Sequence, residues 1–308
     1  MNSIGLGMHG TGIAGDNHAY AIAKTYKFSL VAVSDDQSSL SRSFALRHHV
    51  DKYYGDLEYL LADTNVDMVV VTSPTPLHAS VFPYIAETGR SVIMETPIAS
   101  TLEEAKEIID KACDEGIFLF PVSQISSDPL MKLVFSFVRD NRLGRIIEYS
   151  FTWSFPSPQK RWMNRWGGRF KNREMDLFLQ SASPLFDLVS SLFSEERVVL
   201  AKEINGGCEV FLEKGRLSIT DGYDGFSFFI KGESGEIVGK NGRLISLKID
   251  GEGTKGFDFE TIKSPYSPLS LWYEDIYSAL EKGVWTEEKY MISIKSMEII
   301  LESGKFFV

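Results

Sequence analysis

Apolar and polar positions change their rhythm along this chain, and the change divides it. In the first third, short apolar runs alternate with stretches of helical spacing. Ile4-Gly5-Leu6 reads as the end of a short strand, and Asp16 to Tyr26, with Ala19, Ile22 and Ala23 on one face, as the helix after it. Ser29 to Val33 is a second strand. Met68-Val69-Val70-Val71 is continuously apolar, as a strand buried on both faces requires. A helix over about 78–88 leads through Gly89 to the strand Ser91-Val92-Ile93-Met94, and Phe118 to Val122 reads as the last strand of the series. Strands alternating with helices over short connections predict a doubly wound parallel sheet, with its ligand edge at the carboxyl ends of the strands.

Beyond residue 121 the period becomes two. Leu130 to Arg142 still reads as a helix, with Leu130, Leu133, Val134, Phe137 and Val138 on one face. From there Ile147, Tyr149, Phe151, Trp153 and Phe155 alternate with Glu148, Ser150, Thr152 and Ser154, the signature of a half-buried strand in an antiparallel sheet. Further short strands are expected over 197–204, 208–213, 216–221, 226–231 and 243–249, and closing helices over Leu271–Glu281 and Lys289–Ser303. The expectation is an α/β protein of two domains: residues 1–121 a dinucleotide-binding domain, and 122–308 an α/β domain for substrate and oligomerisation on a mostly antiparallel open sheet.

Composition narrows the partners. The 308 residues are 44% hydrophobic and 24% charged, ordinary for a globular protein. A net charge of -10 argues against a nucleic-acid binder. Cys113 and Cys208 have no metal-ligand spacing and are too few for a disulfide framework, so no metal is expected, and a reducing, cytoplasmic setting is. The opening residues do not read as a signal peptide, and no segment is apolar for the roughly 20 residues a membrane helix needs.

Gly5-Leu6-Gly7-Met8-His9-Gly10 matches GxGxxG, the spacing that lets backbone approach a pyrophosphate ahead of a helix N-terminus. Asp35 follows the second strand, 25 positions beyond Gly10 (35 minus 10). A carboxylate there would hydrogen-bond the adenosine ribose and select NAD over NADP, whose extra phosphate meets like charge; alternatively it caps the next helix. Ser73, Pro74 and His78 lie in the loop after the Val71 strand. His9 and His18 are expected at the surface, and His48-His49 solvated. Ser183-Pro184 reads as a helix cap followed by a first-turn proline. The segment Arg161 to Lys171, with Trp162, Arg165 and Lys171, either lines a pocket for a polar or anionic ring or is a solvated loop.

The chain resembles the Gfo/Idh/MocA family, the glucose-fructose oxidoreductase and inositol dehydrogenase group. The resemblance is carried by Gly5, Gly7 and Gly10, by Ala32-Val33-Ser34-Asp35, by Val71-Thr72-Ser73-Pro74 with Leu77-His78, by Gly89 through Glu95-Thr96-Pro97-Ile98-Ala99, and by Leu143-Gly144-Arg145-Ile146. It implies a Rossmann domain and a second domain whose open sheet often makes homo-oligomer contacts. It also implies hydride transfer between a nicotinamide and a sugar, polyol or related ring, with Glu95 approaching the nicotinamide ribose and His78 packing a helix start or touching the cofactor.

Typical members carry a lysine at the position of Thr96, and an Asp-x-x-x-His pair followed by Asp. In one register Asp187 is that last acid, with Gln180 and Pro184 in place of the Asp and the His; in another Asp176 pairs with Gln180. Both lack the His. Thr96 and Gln180 therefore occupy catalytic positions without titratable side chains, and a positioned base contributes about 10²–10⁴-fold. Three functions follow: an NAD(P)-dependent oxidoreductase with atypical proton transfer on a carbohydrate-like small molecule, a non-catalytic NAD-binding regulatory or structural protein, and a reductase whose proton comes from solvent or substrate.

Overall fold

The computed structural model describes residues 3–155, 181–222, 225–251, 267–284 and 287–307. Two compact units result. One comprises Met1–Gln124 and Tyr266–Ile294, the other Ile125–Pro265 and Lys295–Val308.

The first unit holds six parallel strands: β1 (Ile4–His9), β2 (Phe28–Ser34), β3 (Lys52–Tyr54), β4 (Met68–Val71), β5 (Val92–Met94) and β6 (Leu119–Pro121). Their order is β3-β2-β1-β4-β5-β6. The chain leaves β1 for β2 on one side and returns to place β4 on the other, so the order reverses between β1 and β4. Ligands of open α/β sheets bind at that reversal, outside the carboxyl ends of the strands.

The helices α1 (Ile13–Ile22), α2 (Ser38–His48), α3 (Leu57–Ala62), α4 (His78–Ala86) and α5 (Leu102–Asp114) connect the strands. Their starts follow from local chemistry. Asp56 accepts from the amides of Glu58 and Tyr59 to open α3, and Thr101 with Glu104 forms a reciprocal capping box for α5. Both faces of the sheet are covered, so Met68, Val69, Val70 and Val71 are all buried, as a continuous apolar run demands.

In the second unit α6 (Pro129–Arg139) starts at an Asp128 cap, and a seven-stranded sheet follows. It contains β7 (Ile146–Phe155), β8 (Val198–Ile204), β9 (Gly207–Leu212), β10 (Gly215–Asp221), β11 (Gly225–Gly232), β12 (Gly235–Lys240) and β13 (Arg243–Ile249), ordered β13-β12-β11-β7-β10-β9-β8. All neighbours are antiparallel except β7 and β10. Tyr149, Phe151, Leu217, Ile219, Phe228 and Ile230 face a core completed by α6, by α7 (Ser183–Leu192) and by Ile299 and Ile300. The sheet's mostly antiparallel character agrees with the period-two reading; β12 went unpredicted because Glu236-Ile237-Val238 offers so short an alternation. Ile147 is exposed, although the alternation put it in the core. Ala182, rather than Ser183, occupies the cap position of α7, with no side-chain cap bond, and Pro184 sits in its first turn.

Two helices close the chain: α8 (Pro268–Lys282), started by Ser267 and ended by Gly283 at φ 61°, and α9 (Glu287–Gly304), inside which the two units divide. The sequence pattern grouped α8 with the second sheet. The structure instead sets Leu269, Trp272, Tyr273 and Ile276 in the core of the first unit, with Phe28, Val33 and Phe120. Among the described residues no helix is long and apolar enough to cross a membrane, and no three His, Cys, Asp or Glu side chains converge as a metal site.

Candidate functional site

The glycine loop does not fall where the first GxGxxG match put it. Gly5, Gly7, Met8 and His9 all lie within β1, which ends only at His9. Gly5 has a packing reason: a Cβ there would meet the Asn65 carbonyl oxygen at 2.1 Å, and its amide donates to Asp67 Oδ2 at 2.7 Å. Gly7 is equally confined, with a Cβ placed 2.8 Å from a Val66 methyl. Strand geometry sets Gly7 about 10 Å short of Gly10. Met8 is core, and the His9 ring meets Ser34 Oγ at 3.0 Å, shielded from solvent rather than at the surface. Burial pushes the His9 imidazole below its usual range, against the pull of Asp36, Asp35 and Asp56.

The turn itself is Gly10-Thr11-Gly12-Ile13-Ala14-Gly15, which has the same spacing five residues later. Each glycine has a distinct physical reason. Gly10 adopts φ +102°, and a Cβ would lie 2.4 Å from the Ser73 amide nitrogen, so only glycine permits the crossing of this turn over the loop after β4. Gly12 stands at the start of α1 beside open space, with nothing beyond its own local backbone and chain neighbours within 4 Å of where a Cβ would stand. Gly15 lets α1 settle onto the sheet: a Cβ there would lie 2.8 Å from the Gly10 carbonyl oxygen and 3.2 Å from Met8 Sδ. Among the described residues no side chain caps α1, which leaves its first-turn amides without a capping side chain. Asp16, one turn in, is tied to Arg47 at 2.7 Å and His48 at 2.8 Å, which offsets its repulsion of an anion at this helix end. His48 is thus an Asp16 partner, and only His49 is solvated.

Asp35, just past the end of β2 and 7% exposed, clamps this loop. Its Oδ2 accepts from the Thr11 amide at 3.0 Å and the Thr11 hydroxyl at 2.7 Å, while Oδ1 accepts from the Gln37 amide at 3.1 Å. The Gln37 contact is the local turn bond of the capping alternative. The two Thr11 bonds are tertiary and aim the carboxylate at the turn. A carboxylate has about four acceptor positions, so one remains for a ligand hydroxyl.

The facing wall comes from β4 and β5. Thr72 Oγ1 donates to the Gly10 carbonyl at 2.6 Å. Ser73 is buried, and its hydroxyl has no hydrogen-bond partner among the described residues. Pro74 precedes a short 3-10 turn over Thr75–Leu77, and His78 opens α4, buried, donating Nε2–H to the Ser73 carbonyl at 2.8 Å. Burial lowers the His78 pKa despite the Ser73 carbonyl, the Glu95 carboxylate and the Ile98 and Pro97 backbone, so the ring stays neutral; its Nδ1 makes no hydrogen bond among the described residues. Thr96 Oγ1 donates to the Val122 carbonyl at 3.3 Å, and the Thr96-Pro97 peptide is cis.

Glu95 meets a residue that the sequence pattern places at the surface. His18, on α1, is 0% exposed; its Nε2 lies 3.0 Å from Glu95 Oε1, and its Nδ1 lies 2.6 Å from the hydroxyl of Tyr273 on α8. Burial, then the nearby Glu95 charge, holds the Tyr273 hydroxyl protonated well above the usual tyrosine range. No local pattern points to this chain of contacts, since 255 positions separate His18 from Tyr273.

The substrate candidates Trp162, Arg165, Lys171 and Gln180 lie outside the described residues. Gly12, Gly15, Thr11, His18 and Tyr273 were missed. For the loop the signal was present: the second GxGxxG match precedes Asp35 by 20 residues (35 minus 15), the spacing such carboxylates favour. The groups present fit a dinucleotide. An uncapped helix start beside Gly12, the orphaned Ser73 hydroxyl and the spare acceptor of Asp35 match a pyrophosphate flanked by a ribose.

A parallel sheet of this order, with a glycine turn at its reversal, defines a dinucleotide-binding Rossmann domain. Residues 4–121 match the Gfo/Idh/MocA family model, described as "Oxidoreductase family, NAD-binding Rossmann fold", so this segment carries the chain's likeness to that family. It is 28% identical over 138 residues to the "Uncharacterized oxidoreductase YrbE" of Bacillus subtilis, a match spanning 45% of this chain and only 40% of that protein. It is 25% identical over 260 residues to the inositol 2-dehydrogenase of Rhizobium meliloti, covering 82% of this chain and 74% of the relative. Among solved structures, the WlbA dehydrogenase from Bordetella pertussis, in complex with NADH and UDP-GlcNAcA, superposes with a TM-score of 0.83 at 20% identity, over 100% of this chain and 97% of the other. That likeness establishes the shared fold.

Proposed function

We propose that this protein is an NAD(H)-dependent oxidoreductase acting on a sugar, polyol or related small cyclic molecule, with proton transfer unlike that of the family's lysine-bearing members. The observation that carries the reading is the Gly10–Gly15 turn clamped to Asp35 through Thr11. NAD+ when bound supplies a hydride acceptor. In this reading the chain's own residues do the rest: α1 amides and Ser73 hold the pyrophosphate, Asp35 takes a ribose hydroxyl, and Glu95, Pro74 and His78 border the nicotinamide end. The inositol 2-dehydrogenase relative and the family match support the substrate class.

Residues 1–121, with α8 packed into their core, form the cofactor domain in this reading, and the rest of 122–308 the substrate domain, where Trp162, Arg165, Lys171 and Gln180 are the substrate candidates. Two free cysteines, exposed Cys113 and buried Cys208, support a reducing, cytoplasmic setting, and the seven-stranded sheet is the surface proposed for a homo-oligomer. One observation favours a second reading, a non-catalytic NAD-binding protein: Thr96 cannot accept a proton near neutral pH, and it stands where the family carries lysine.

Calorimetric titration with NAD(H) and NADP(H) tests the cofactor assignment. NAD(H) should bind at least roughly tenfold more tightly, a difference of about 1.4 kcal/mol or more, and Asp35→Asn should erase most of that preference. Equal or tighter NADP(H) binding would sink the Asp35 assignment. Failure to bind either would remove both readings, and turnover across a polyol and sugar panel separates them.

A further inference from the structure

We propose that Glu95 and His18 act as a carboxylate–imidazole pair that takes up the hydroxyl proton when substrate is oxidised, replacing the lysine absent at Thr96, with Tyr273 setting the tautomer of His18. The inference rests on the oxidoreductase reading above.

The geometry orders the protons along this chain of contacts. Tyr273 keeps its proton and donates to His18 Nδ1 at 2.6 Å, so the ring proton sits on Nε2 and points at Glu95 Oε1, 3.0 Å away. Among the described residues Glu95 Oε2 accepts one long bond, 3.3 Å, from the Thr96 amide. The Glu95 side chain is 22% exposed while His18 is sealed, so a proton enters through the carboxylate. Among the described residues no Lys or Arg forms an ion pair with Glu95, and His18 is its side-chain partner. Among the described residues the other titratable groups facing the pair are Tyr273 from α8 and, across Glu95, His78 from α4, which is neutral and donates to the Ser73 carbonyl.

The pair is satisfied in both protonation states. A neutral His18 accepts from Tyr273 and donates to Glu95. An imidazolium donates to both, because a tyrosine hydroxyl can turn from donor to acceptor. Neither state leaves a ring nitrogen of this buried histidine without a partner. Oxidation of a carbinol breaks its C–H bond, whose electron pair leaves as hydride to the cofactor, and its O–H bond, whose proton passes to Glu95 and is shared with His18. The C=O double bond forms between them.

Two measurements test this. Nitrogen-15 histidine NMR across pH, with His18 assigned through His18→Asn, should show the Nε2–H tautomer at high pH and an imidazolium at low pH. Tyr273→Phe should mix the tautomers. In steady-state assays with NAD+, kcat should fall as pH drops through that same transition. Glu95→Gln should lower kcat by about 10²–10⁴-fold and flatten the pH limb, with NADH affinity reduced only mildly. Tyr273→Phe, which keeps the ring and the packing, should move the limb.

A His18 that stays neutral through the pH limb overturns the proposal without recourse to any variant. Wild-type rates and an unchanged limb in both Glu95→Gln and Tyr273→Phe overturn it equally, while leaving the oxidoreductase reading intact. Absence of turnover in wild type that binds NADH defeats that reading itself, and the proton role falls with it.

Discussion

Gly7 and Gly12 should respond to the same substitution in opposite ways. In Gly12→Val the new side chain enters open space at the start of α1, and the fold loses little. It does occupy the approach to the first-turn amides. If two hydrogen bonds to a charged phosphate are lost, at about 1.5–3 kcal/mol each, the penalty is about 3–6 kcal/mol. That corresponds to NADH binding weakened by about 10²–10⁴-fold.

In Gly7→Val the new Cβ would lie 2.8 Å and 3.0 Å from the Val66 methyls and 3.2 Å from Leu60. Overpacking of this kind costs about 1–3 kcal/mol. Near Tm, a unit of this size loses roughly 2–4 °C per kcal/mol, while its phosphate loop stays intact. NADH fluorescence titration and thermal denaturation of the two variants side by side give the crossover. Gly7→Val with wild-type Tm and no NADH binding, paired with a Gly12→Val that binds normally, would refute the assignment of the loop to Gly10–Gly15 and restore the Gly5–Gly10 reading.

Asp63 should give the first unit an acid-sensitive anchor. Burial opposes its ionisation, yet the Asn65 amide at 3.0 Å, Lys52 Nζ at 2.9 Å and the Tyr54 hydroxyl at 3.1 Å outweigh that and hold its carboxyl well below 3.8. A depressed folded-state pKa contributes stability that is complete above the unfolded value and lost as pH falls through the folded one. Asp63→Asn should therefore cost about 1–3 kcal/mol at neutral pH, with the gap to wild type narrowing below pH 3.8 in denaturant titrations; a gap independent of pH would contradict the assignment. In the second unit Phe151, fully buried on the central strand β7, should cost about 3–5 kcal/mol as Phe151→Ala by the same assay. A loss under 1 kcal/mol would show that β7 does not centre that core.

The sequence by itself determined the elements and their class. Continuous apolar runs at Met68–Val71 and Val92–Met94 can only be covered on both faces, and alternation from Ile147 onward can only be covered on one, so a parallel and a largely antiparallel sheet were legible in the chain alone. The Glu95-Thr96-Pro97 departure was equally plain, since it is a matter of residue identity. The glycine register was ambiguous for a physical reason. Gly5, Gly7, Gly10, Gly12 and Gly15 contain two overlapping GxGxxG matches, and what separates them is where β1 stops pairing with β2 and β4, a property of hydrogen-bonded neighbours far along the chain. The tertiary structure alone decided that Asn65 and Val66 press on the first two glycines, and that Ser73 crosses the third.

It alone also brought Tyr273 to His18. Helix α8 carries an apolar face that would suit either core, and nothing within its fifteen residues states which one it joins. That choice rests on shape and on the complementary surface offered by Phe28 and Val33. With it came the buried hydroxyl that turned two histidine and glutamate positions, unremarkable as letters, into a connected pair.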